Sequence, residues 1–348
     1  MNRTGWRWLA LALMWLAVAV LLWWVARTVS LHAVWEIVSA LTPERLLIWL
    51  GLNACIVLLL TMRWWLILRA QSAGVGFAPL LRHRLVLFAV SYFTPGPHVG
   101  GEPVAVYLLR REHGVPGSVS MASLAIDRAL DLLLNFAFIG AGVWLIAQRG
   151  FGGRLNLTGV TVSLVVVALL LVFLVAFWAG ERPLTALSYL LQRLAPQRPI
   201  LSRAVQAVRH TEDEIARFLR VHTGVALSVL VLSAFIWLLL IAEFWLTLSF
   251  LGLPLPLPDL IIVMVAARIA YLLPSPAALG TLEGSQTLIF TVMGLNPAIA
   301  ISMALLIRMR DVALGLIGLA LGGWSVSFGM TALRPALKPY SVDIESDK

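Results

Sequence analysis

Ten charged residues stand inside stretches of the chain that are otherwise apolar. The set comprises Glu102, Asp127, Arg128, Asp131, Glu243, Arg268, Glu283, Arg308, Arg310 and Asp311. A charge at the centre of a membrane helix costs roughly 2.5–3.5 kcal/mol, so such groups pair with one another or line a wet cavity. These residue types therefore predict either internal ion pairs or a hydrophilic, charge-balanced groove.

The composition around these charges is that of a membrane protein. The chain has 348 residues, of which 60% are hydrophobic and only 12% are charged, whereas soluble domains carry about 25% charged residues. Several apolar runs reach about 20 residues, enough to cross the hydrocarbon core as helices. The predicted fold class is therefore an all-α, polytopic membrane bundle. The net charge of +9 indicates topology and contact with anionic lipid rather than nucleic-acid binding, because the arginines form no continuous basic domain.

About six full spans are predicted, and two further apolar stretches are interrupted by proline and glycine. The full spans cover about 8–26, 46–68, 118–147, 158–178, 224–251 and 298–330, and the broken stretches cover about 85–109 and 259–294. If the first broken stretch returns to the side from which it entered, the arginine clusters all lie in the cytoplasm, as the positive-inside rule requires. We therefore predict two re-entrant hairpins, with the N- and C-termini in the cytoplasm.

The chain is predicted to form a single integral membrane domain over 1–333, followed by a cytoplasmic tail at 334–348. Within this domain, segment 183–222 has apolar residues at helical spacing on one face and arginines on the other. It is predicted to form amphipathic helices on the cytoplasmic membrane surface. The alternative is a connector that only covers the helix ends.

The two broken stretches share a motif, which indicates an internal repeat. Tyr-x-x-Pro-x-Pro begins at Tyr92 and again at Tyr271, an offset of 179 residues (271 minus 92). In each copy an acidic residue follows a glycine, and Arg-x-x-Asp comes later at matched spacing. Repeat halves are predicted at about 77–147 and 256–330. The hairpin breaks are Pro95, Pro97, Gly100, Gly101, Pro274, Pro276 and Gly280.

The number of spans between the copies predicts that the halves have opposite orientations. Three full spans separate them, at 118–147, 158–178 and 224–251, so one hairpin enters from the cytoplasm and the other from outside. Such an inverted-topology repeat is typical of secondary transporters, which bind substrate near the membrane midplane. The predicted substrate-binding residues are Glu102, Asp127, Arg128, Asp131, Glu283, Arg308, Arg310 and Asp311.

Two interpretations of these charges remain. An ion pair between each hairpin glutamate and the arginine of the following Arg-x-x-Asp motif could simply fix the hairpin to a long helix. Alternatively, the charges form a groove for a polar lipid head group, which is favoured because a purely structural ion pair can often be replaced by apolar packing. Glu243 and Arg268 fit either interpretation. No cluster of His, Cys or Asp has metal-ligand spacing, so no metal site and no cofactor is predicted.

The chain resembles a flippase-like family named for the membrane region of lysylphosphatidylglycerol synthases. The resemblance extends from about Arg63-Trp64-Trp65 to residue 330 and is most specific in three motifs. They are Pro95-Gly96-Pro97-His98-Val99-Gly100-Gly101-Glu102, Asp127-Arg128-x-x-Asp131, and Pro274-x-Pro276-x-x-x-Gly280-x-x-Glu283 with Arg308. The resemblance implies a multi-span bundle with re-entrant helices that moves or handles polar lipids in the bacterial inner membrane.

The sequence departs from the family's pattern in places that concern the head group. Val104-Ala105-Val106 stands where the family often has a basic residue, and Ala277 and Ala278 replace common glycines. The pattern Arg308-x-Arg310-Asp311 resembles a branch associated with hopanoid biosynthesis. The synthases carry a soluble transferase domain after the membrane region, whereas this chain ends about 18 residues after the last predicted span. We therefore expect no lipid aminoacylation.

The predicted function is translocation of a polar lipid, and the implied partners are membrane lipids (an anionic phospholipid, a polyprenyl lipid or a hopanoid). The main alternative is a non-transporting accessory protein that binds a lipid intermediate and scaffolds lipid-biosynthesis enzymes. An intramembrane transferase with Glu102 or Glu283 as base is disfavoured, because the sequence has no P-loop, Gly-x-Ser-x-Gly or HExxH motif. No enzymatic activity is predicted.

Overall fold

The computed structural model describes residues 41–71, 73–93, 100–148, 153–179, 181–185, 199–272, 278 and 280–331. The predicted first span at 8–26 and the tail at 334–348 lie outside the described residues, as do Pro95, Pro97, Pro274 and Pro276. In the described part of the chain the regular elements are helices and no strand occurs. The prediction of an all-α protein is therefore confirmed.

The described part of the chain includes ten helices. In chain order they are α1 (Pro43–Ala70), α2 (Phe77–Phe93), α3 (Glu102–His113), α4 (Gly117–Gln148), α5 (Gly153–Ala179), α6 (Pro199–Val221), α7 (Thr223–Phe250), α8 (Leu257–Leu272), α9 (Thr281–Val292) and α10 (Pro297–Thr331).

Local signals in the sequence explain where several helices begin and end. Helix α1 begins after Thr42, whose Oγ1 accepts the backbone N–H of Arg45, and Pro43 occupies the first turn, where its missing N–H is not needed. The short helices α3 and α9 end before Gly114 and Gly294, which have φ angles of 66° and 70°. Glycine adopts this left-handed conformation without a steric penalty, so it ends both helices after 12 residues.

The lengths and compositions of the helices are those of a membrane protein. Among the described residues, α1, α4 and α7 are long and apolar enough to cross a membrane. Outward-facing side chains on these helices and on α5 are large and apolar, including Leu58, Leu169, Val231 and Leu238. Apolar surface of this extent suits contact with lipid rather than water.

Two series of helices have nearly identical spacing. Helices α1–α4 begin at residues 43, 77, 102 and 117, and helices α7–α10 begin at residues 223, 257, 281 and 297. The offsets are 180 (223 minus 43), 180 (257 minus 77), 179 (281 minus 102) and 180 (297 minus 117). The first helices, α1 and α7, both have 28 residues. The matched spacing therefore includes α1 and α7, which lie outside the predicted halves at about 77–147 and 256–330.

Each series has its own apolar core. In the first series, Trp64, Leu80 and Leu109 are completely buried between α1, α2 and α3. In the second series, Leu248 of α7 and Phe290 of α9 are completely buried in a cluster to which α8 and α10 also contribute. Each short hairpin helix is thus packed within its own series.

The first helices of the two series pack antiparallel against each other. Trp49, near the start of α1, donates from Nε1 to Thr247, near the end of α7, at 3.0 Å. Arg63, near the end of α1, donates to Ser233, in the first half of α7, at 3.2 Å. Residues later in α1 thus contact residues earlier in α7, so the two helices run in opposite directions.

Two further contacts between the series match each other. A Cβ atom on Gly318 of α10 would lie 2.1 Å from the carbonyl oxygen of Leu85 on α2, and one on Gly142 of α4 would lie 2.2 Å from Val265 on α8. Only glycine allows helices to approach so closely. At an offset of 180, position 85 corresponds to 265, and position 142 corresponds to 322, about one helical turn from Gly318. Helix α10 therefore contacts α2 as α4 contacts α8.

Helix α6 places its apolar face against the protein. Ile215 and Phe218 are buried in a cluster with Ile126 of α4 and Phe177 of α5, whereas Arg217 is exposed. This contact favours the alternative in which the segment covers helix ends. Residues 186–198 of the predicted amphipathic segment lie outside the described residues.

Candidate functional site

Each hairpin supplies a glutamate that pairs with an arginine on the long helix that follows. The carboxylate of Glu102 lies 2.9 Å from Nε of Arg128, and that of Glu283 lies 2.6 Å from Nη2 of Arg308. The side chains of Glu102 and Arg128 are 22% and 34% exposed, whereas that of Arg308 is 3% exposed. The first ion pair is therefore open to a competing ligand, and the second is more enclosed.

The glycines of the breaks hold these carboxylates at helix starts. Gly100 N–H donates to Glu102 and Gly280 N–H donates to Glu283, at 2.9 Å in both hairpins. A carboxylate at a helix N-terminus is also favoured by the helix dipole. A Cβ atom on Gly101 would lie 2.2 Å from a backbone oxygen of α2. Glycine at this position lets the start of α3 approach α2.

A buried ion-pair network joins α1, α2 and α4. Arg63 contacts Asp127 at 2.7 Å and Asp131 at 2.8 Å. Arg84 contacts the second carboxylate oxygen of Asp127 at 2.7 Å. Arg63 also donates to Ser233 of α7. Two guanidinium groups and two carboxylates thus balance one another, and the network reaches the second series of helices.

A second network joins α1, α7, α8 and α10. Arg310 lies 3.2 Å from Glu243 and 2.9 Å from Asp311, and it donates to Oδ1 of Asn53 at 3.1 Å. The hydroxyl of Tyr271 donates to the other carboxylate oxygen of Asp311 at 3.1 Å. This network includes a contact back to α1, in the first series of helices.

The two networks use matched positions with the charges exchanged. Arg63 on α1 corresponds to Glu243 on α7, an offset of 180 (243 minus 63), and Asn53 corresponds to Ser233 at the same offset (233 minus 53). In the first network the cations are on α1 and α2 and the acids are on α4. In the second, one acid is on α7 and the cation is on α10. Each network therefore includes a contact between the two series of helices, from Arg63 to Ser233 and from Arg310 to Asn53.

A cavity of about 350 Å³ lies between the two series of helices. This volume is within the usual range for a ligand pocket, about 300–1,000 Å³. The charged residues that line the cavity are Arg84, Arg128, Asp131, Arg268, Arg310 and Asp311. Three of the four arginines, Arg84, Arg128 and Arg310, are paired with carboxylates, so the fourth decides whether an anionic group can find a partner here.

Arg268 differs from the other arginines of the cavity because it contacts no carboxylate among the described residues. Its guanidinium lies 4.7 Å from the ring centroid of Trp237, a cation–π contact. Arg84, Arg128 and Arg310 each form an ion pair. A guanidinium has five N–H donors, and the face of an indole ring leaves them available. Arg268 is therefore the cavity arginine best placed to bind an anionic ligand.

The predicted site residues divide into two groups. Those that line the cavity are Arg128, Asp131, Arg310 and Asp311. Those that form ion pairs without lining it are Glu102, Asp127, Glu283 and Arg308. The adjacent residues Asp127 and Arg128 have different partners: Arg128 contacts Glu102 of the hairpin, whereas Asp127 contacts Arg63 of α1 and Arg84 of α2.

Sequence reasoning missed several members of the networks. Arg63, Arg84 and Asn53 all contact charged residues of the site. Arg84 stands beside an apolar stretch, where arginine commonly marks only the cytoplasmic end. Subtracting the repeat offset of 180 from Glu243 gives position 63, so the repeat would have indicated Arg63 as a further charged residue of the site.

The fold and the cavity define an α-helical membrane protein with a charged central site. The chain belongs to the family described as Lysylphosphatidylglycerol synthase TM region, whose model matches residues 7–318. The predicted family is therefore confirmed. The association with a hopanoid branch stays a prediction.

The curated relatives are similar over most of their length. Two UPF0104 membrane proteins of Methanothermobacter thermautotrophicus are 26% and 27% identical to this chain over 298 and 332 residues; the alignments cover 82% and 89% of this chain and 87% and 91% of the relatives. The UPF0104 membrane protein PH1989 of Pyrococcus horikoshii is 24% identical over 308 residues, which cover 84% of this chain and 89% of the relative. No solved structure matches the chain.

Proposed function

We propose that this protein is a flippase-like translocator of polar lipids in the bacterial inner membrane, and that the lipid head group enters the central cavity. The observation that carries the proposal is Arg268, which lines the cavity and contacts no carboxylate among the described residues. An anionic head group would supply the missing partner while the acyl chains stay in the lipid. The protein would act without a cofactor and without covalent chemistry.

The architecture that we propose has six full spans and two re-entrant hairpins. The spans are 8–26, α1, α4, α5, α7 and α10, and the hairpins are α2–α3 and α8–α9. The inverted repeat then consists of α1–α4 and α7–α10. The antiparallel packing of α1 with α7 supports this arrangement, because in it these two spans run in opposite directions. The termini are then in the cytoplasm.

The hairpin ion pairs suggest how binding of a head group could be coupled to movement of a hairpin. Arg128 lines the cavity and is held by Glu102, which belongs to the hairpin. An anionic head group in the cavity competes with Glu102 for this arginine. Loss of the ion pair would weaken the contact between the hairpin and α4, so that the hairpin can move. Arg308 does not line the cavity, so its ion pair with Glu283 would break only when the second hairpin opens, giving alternating access to the shared cavity.

Cysteine labelling tests the proposed topology. In a Cys55→Ala background, which removes the single native cysteine, Arg209→Cys and a cysteine in the 341–348 tail should react only after the cells are permeabilised. Pro254→Cys should react in intact cells. Positions 209 and 254 are exposed, whereas Leu255 beside the latter is buried. External labelling at position 209 would contradict the inverted repeat, because the number of crossings would be wrong.

Lipid movement in proteoliposomes tests the role of Arg268. Labelled lipids with phosphate-bearing and with uncharged head groups are incorporated, and their accessibility in each leaflet is followed. Arg268→Gln should slow movement of the phosphate-bearing lipid about tenfold or more, equivalent to a loss of at least about 1.4 kcal/mol. Arg268→Lys should restore part of the activity, because it keeps the charge but not the planar set of donors.

Arg69→Gln is the matched control. Arg69 also lies over a tryptophan ring, at 4.9 Å from the centroid of Trp65, but it does not line the cavity. We expect this variant to move lipid at the normal rate. If the wild-type protein binds lipid without moving it, the accessory-protein alternative is supported. If Arg268→Gln and Arg69→Gln behave alike, the head group does not use Arg268.

A further inference from the structure

A second polar cluster lies at the base of the first hairpin, away from the glycine break. His83 of α2 meets Glu112 and His113 in the last turn of α3. The potential ligand atoms of these three residues lie within 4.8 Å of one another. Nε2 of His83 is 3.0 Å from the carboxylate of Glu112, and the two imidazole centroids are 5.3 Å apart.

Two ring nitrogens in this cluster are buried and lack partners. Nδ1 of His83 and Nε2 of His113 make no hydrogen bond within the part of the chain that the structure describes, and the side chain of His83 is fully buried. An unsatisfied buried polar atom costs about 1–3 kcal/mol. An ion bound by Nε2 of His113 would remove this penalty at that atom, whereas His83 can offer a single ion only one of its two ring nitrogens.

The cluster already attracts one positive charge. The guanidinium of Arg82 contacts the Glu112 carboxylate and lies 3.2 Å from Nε2 of His83. The side chain of Arg82 is 34% exposed. Arg82 can therefore turn outward and leave the position between Glu112 and His83 to another cation.

The second hairpin shows that packing does not require these polar residues. At an offset of 180, the positions of Arg82, His83, Glu112 and His113 are occupied by Ile262, Val263, Val292 and Met293. The equivalent helices α8 and α9 thus have apolar residues at all four positions. Two histidines and a glutamate at the base of the first hairpin need an explanation other than the repeat architecture.

We propose that His83, Glu112 and His113 bind a divalent transition-metal ion of the Zn²⁺ type, which replaces Arg82. Imidazole nitrogen and carboxylate oxygen are ligands that Zn²⁺ favours, whereas Mg²⁺ and Ca²⁺ prefer oxygen alone. Zinc–ligand bonds of about 2.0–2.2 Å require small side-chain rotations that draw the three groups together. The ion links α2 to α3 and fixes the base of the hairpin. This site is independent of the head-group cavity.

Calorimetric titration of the chelator-treated, detergent-purified full-length protein with ZnCl₂ tests the proposal, with Co²⁺ absorption as a report on ligand type. We expect one ion per chain and a rise in the unfolding temperature on binding. His113→Ala and Glu112→Gln, which change partly exposed side chains, should each weaken binding about tenfold or more. His210→Ala and His222→Ala are the controls and should bind normally.

Arg82→Gln distinguishes an ion site from a simple arginine clamp. If the metal replaces Arg82, this variant should bind Zn²⁺ more tightly than the wild type, because a competing cation is gone. The proposal is overturned if the folded wild type binds no Zn²⁺, or if His113→Ala and Glu112→Gln bind it as the controls do. Lipid movement is a separate measurement, so either result leaves the head-group proposal to its own test.

Discussion

Asp127→Asn is expected to lower the free energy of unfolding by about 3–5 kcal/mol, the usual effect of removing one partner from a buried ion pair. Asp127 is 3% exposed and contacts both Arg63 and Arg84 at 2.7 Å. Asparagine keeps the shape but not the charge, so Arg63 keeps only Asp131, and Arg84 loses its one carboxylate partner among the described residues. Thermal unfolding of the detergent-purified protein measures the effect.

Asp213→Asn provides the matched control for this measurement. Asp213 pairs with Arg182 at the same distance of 2.7 Å, but the two side chains are 36% and 44% exposed. An exposed ion pair contributes only about 0–1 kcal/mol, so this variant should unfold near the wild-type temperature. Adding Arg63→Gln to Asp127→Asn should cost less than the sum of the single effects, since the two residues share one network. Equal unfolding of the two asparagine variants would show that burial does not matter here.

The sequence predicted the charged residues of the site because charges are rare in apolar helices. The proline and glycine motifs around Glu102 and Glu283 identified these two residues as equivalent positions of the repeat. The spacing of Arg128 and Arg308 then fixed the offset of 180 residues (308 minus 128). These signals are local or periodic, so they can be detected without three-dimensional contacts.

The sequence suggested that Glu102 pairs with Arg128 and Glu283 with Arg308, as the structure shows, but the partners of the other charges could not be predicted from spacing. Asp127 and Arg128 are adjacent, yet neighbouring residues on a helix point in directions about 100° apart, and only the packing of α1 and α3 decides what each one meets. Arg63 reaches Asp127 across 64 residues of sequence. His83 and Glu112 are likewise 29 residues apart, so no metal-ligand spacing marks their cluster.

The ion pairs in the site differ in burial. This difference distinguishes the pairs that stabilise the fold from the pair that could break and re-form during lipid movement. The pair of Arg63 and Asp127 has side chains that are 1% and 4% exposed, so breaking it leaves buried charges without water. Glu102 and Arg128 are open enough for water or a head group to replace one partner. The buried networks are therefore suited to hold the helices in fixed positions, whereas a head group could replace Glu102 as the partner of Arg128.

The last prediction follows from this exchangeable contact. Glu102→Gln and Glu283→Gln should each reduce lipid movement about tenfold or more in both directions, because a transport cycle needs both hairpins to release and re-form their contacts. Glutamine keeps a carbonyl oxygen that accepts the backbone N–H of Gly100 or Gly280, so the hairpin start is preserved. Glu102→Gln should remain folded. Glu283→Gln should be less stable, because Arg308 is 3% exposed and loses its carboxylate.

Head-group binding from each leaflet, measured in both single variants and in the double variant, separates a translocator from a scaffold. In a translocator, each single variant should still bind lipid from the leaflet whose hairpin is intact, and the double variant should bind from neither. Glu214→Gln is the control, since Glu214 pairs with Arg217 on the surface helix α6 and should not affect lipid movement. A scaffold needs only the entrance that faces its partner enzyme. If Glu283→Gln were silent while Glu102→Gln abolished function, alternating access would be excluded and the accessory-protein interpretation would take its place.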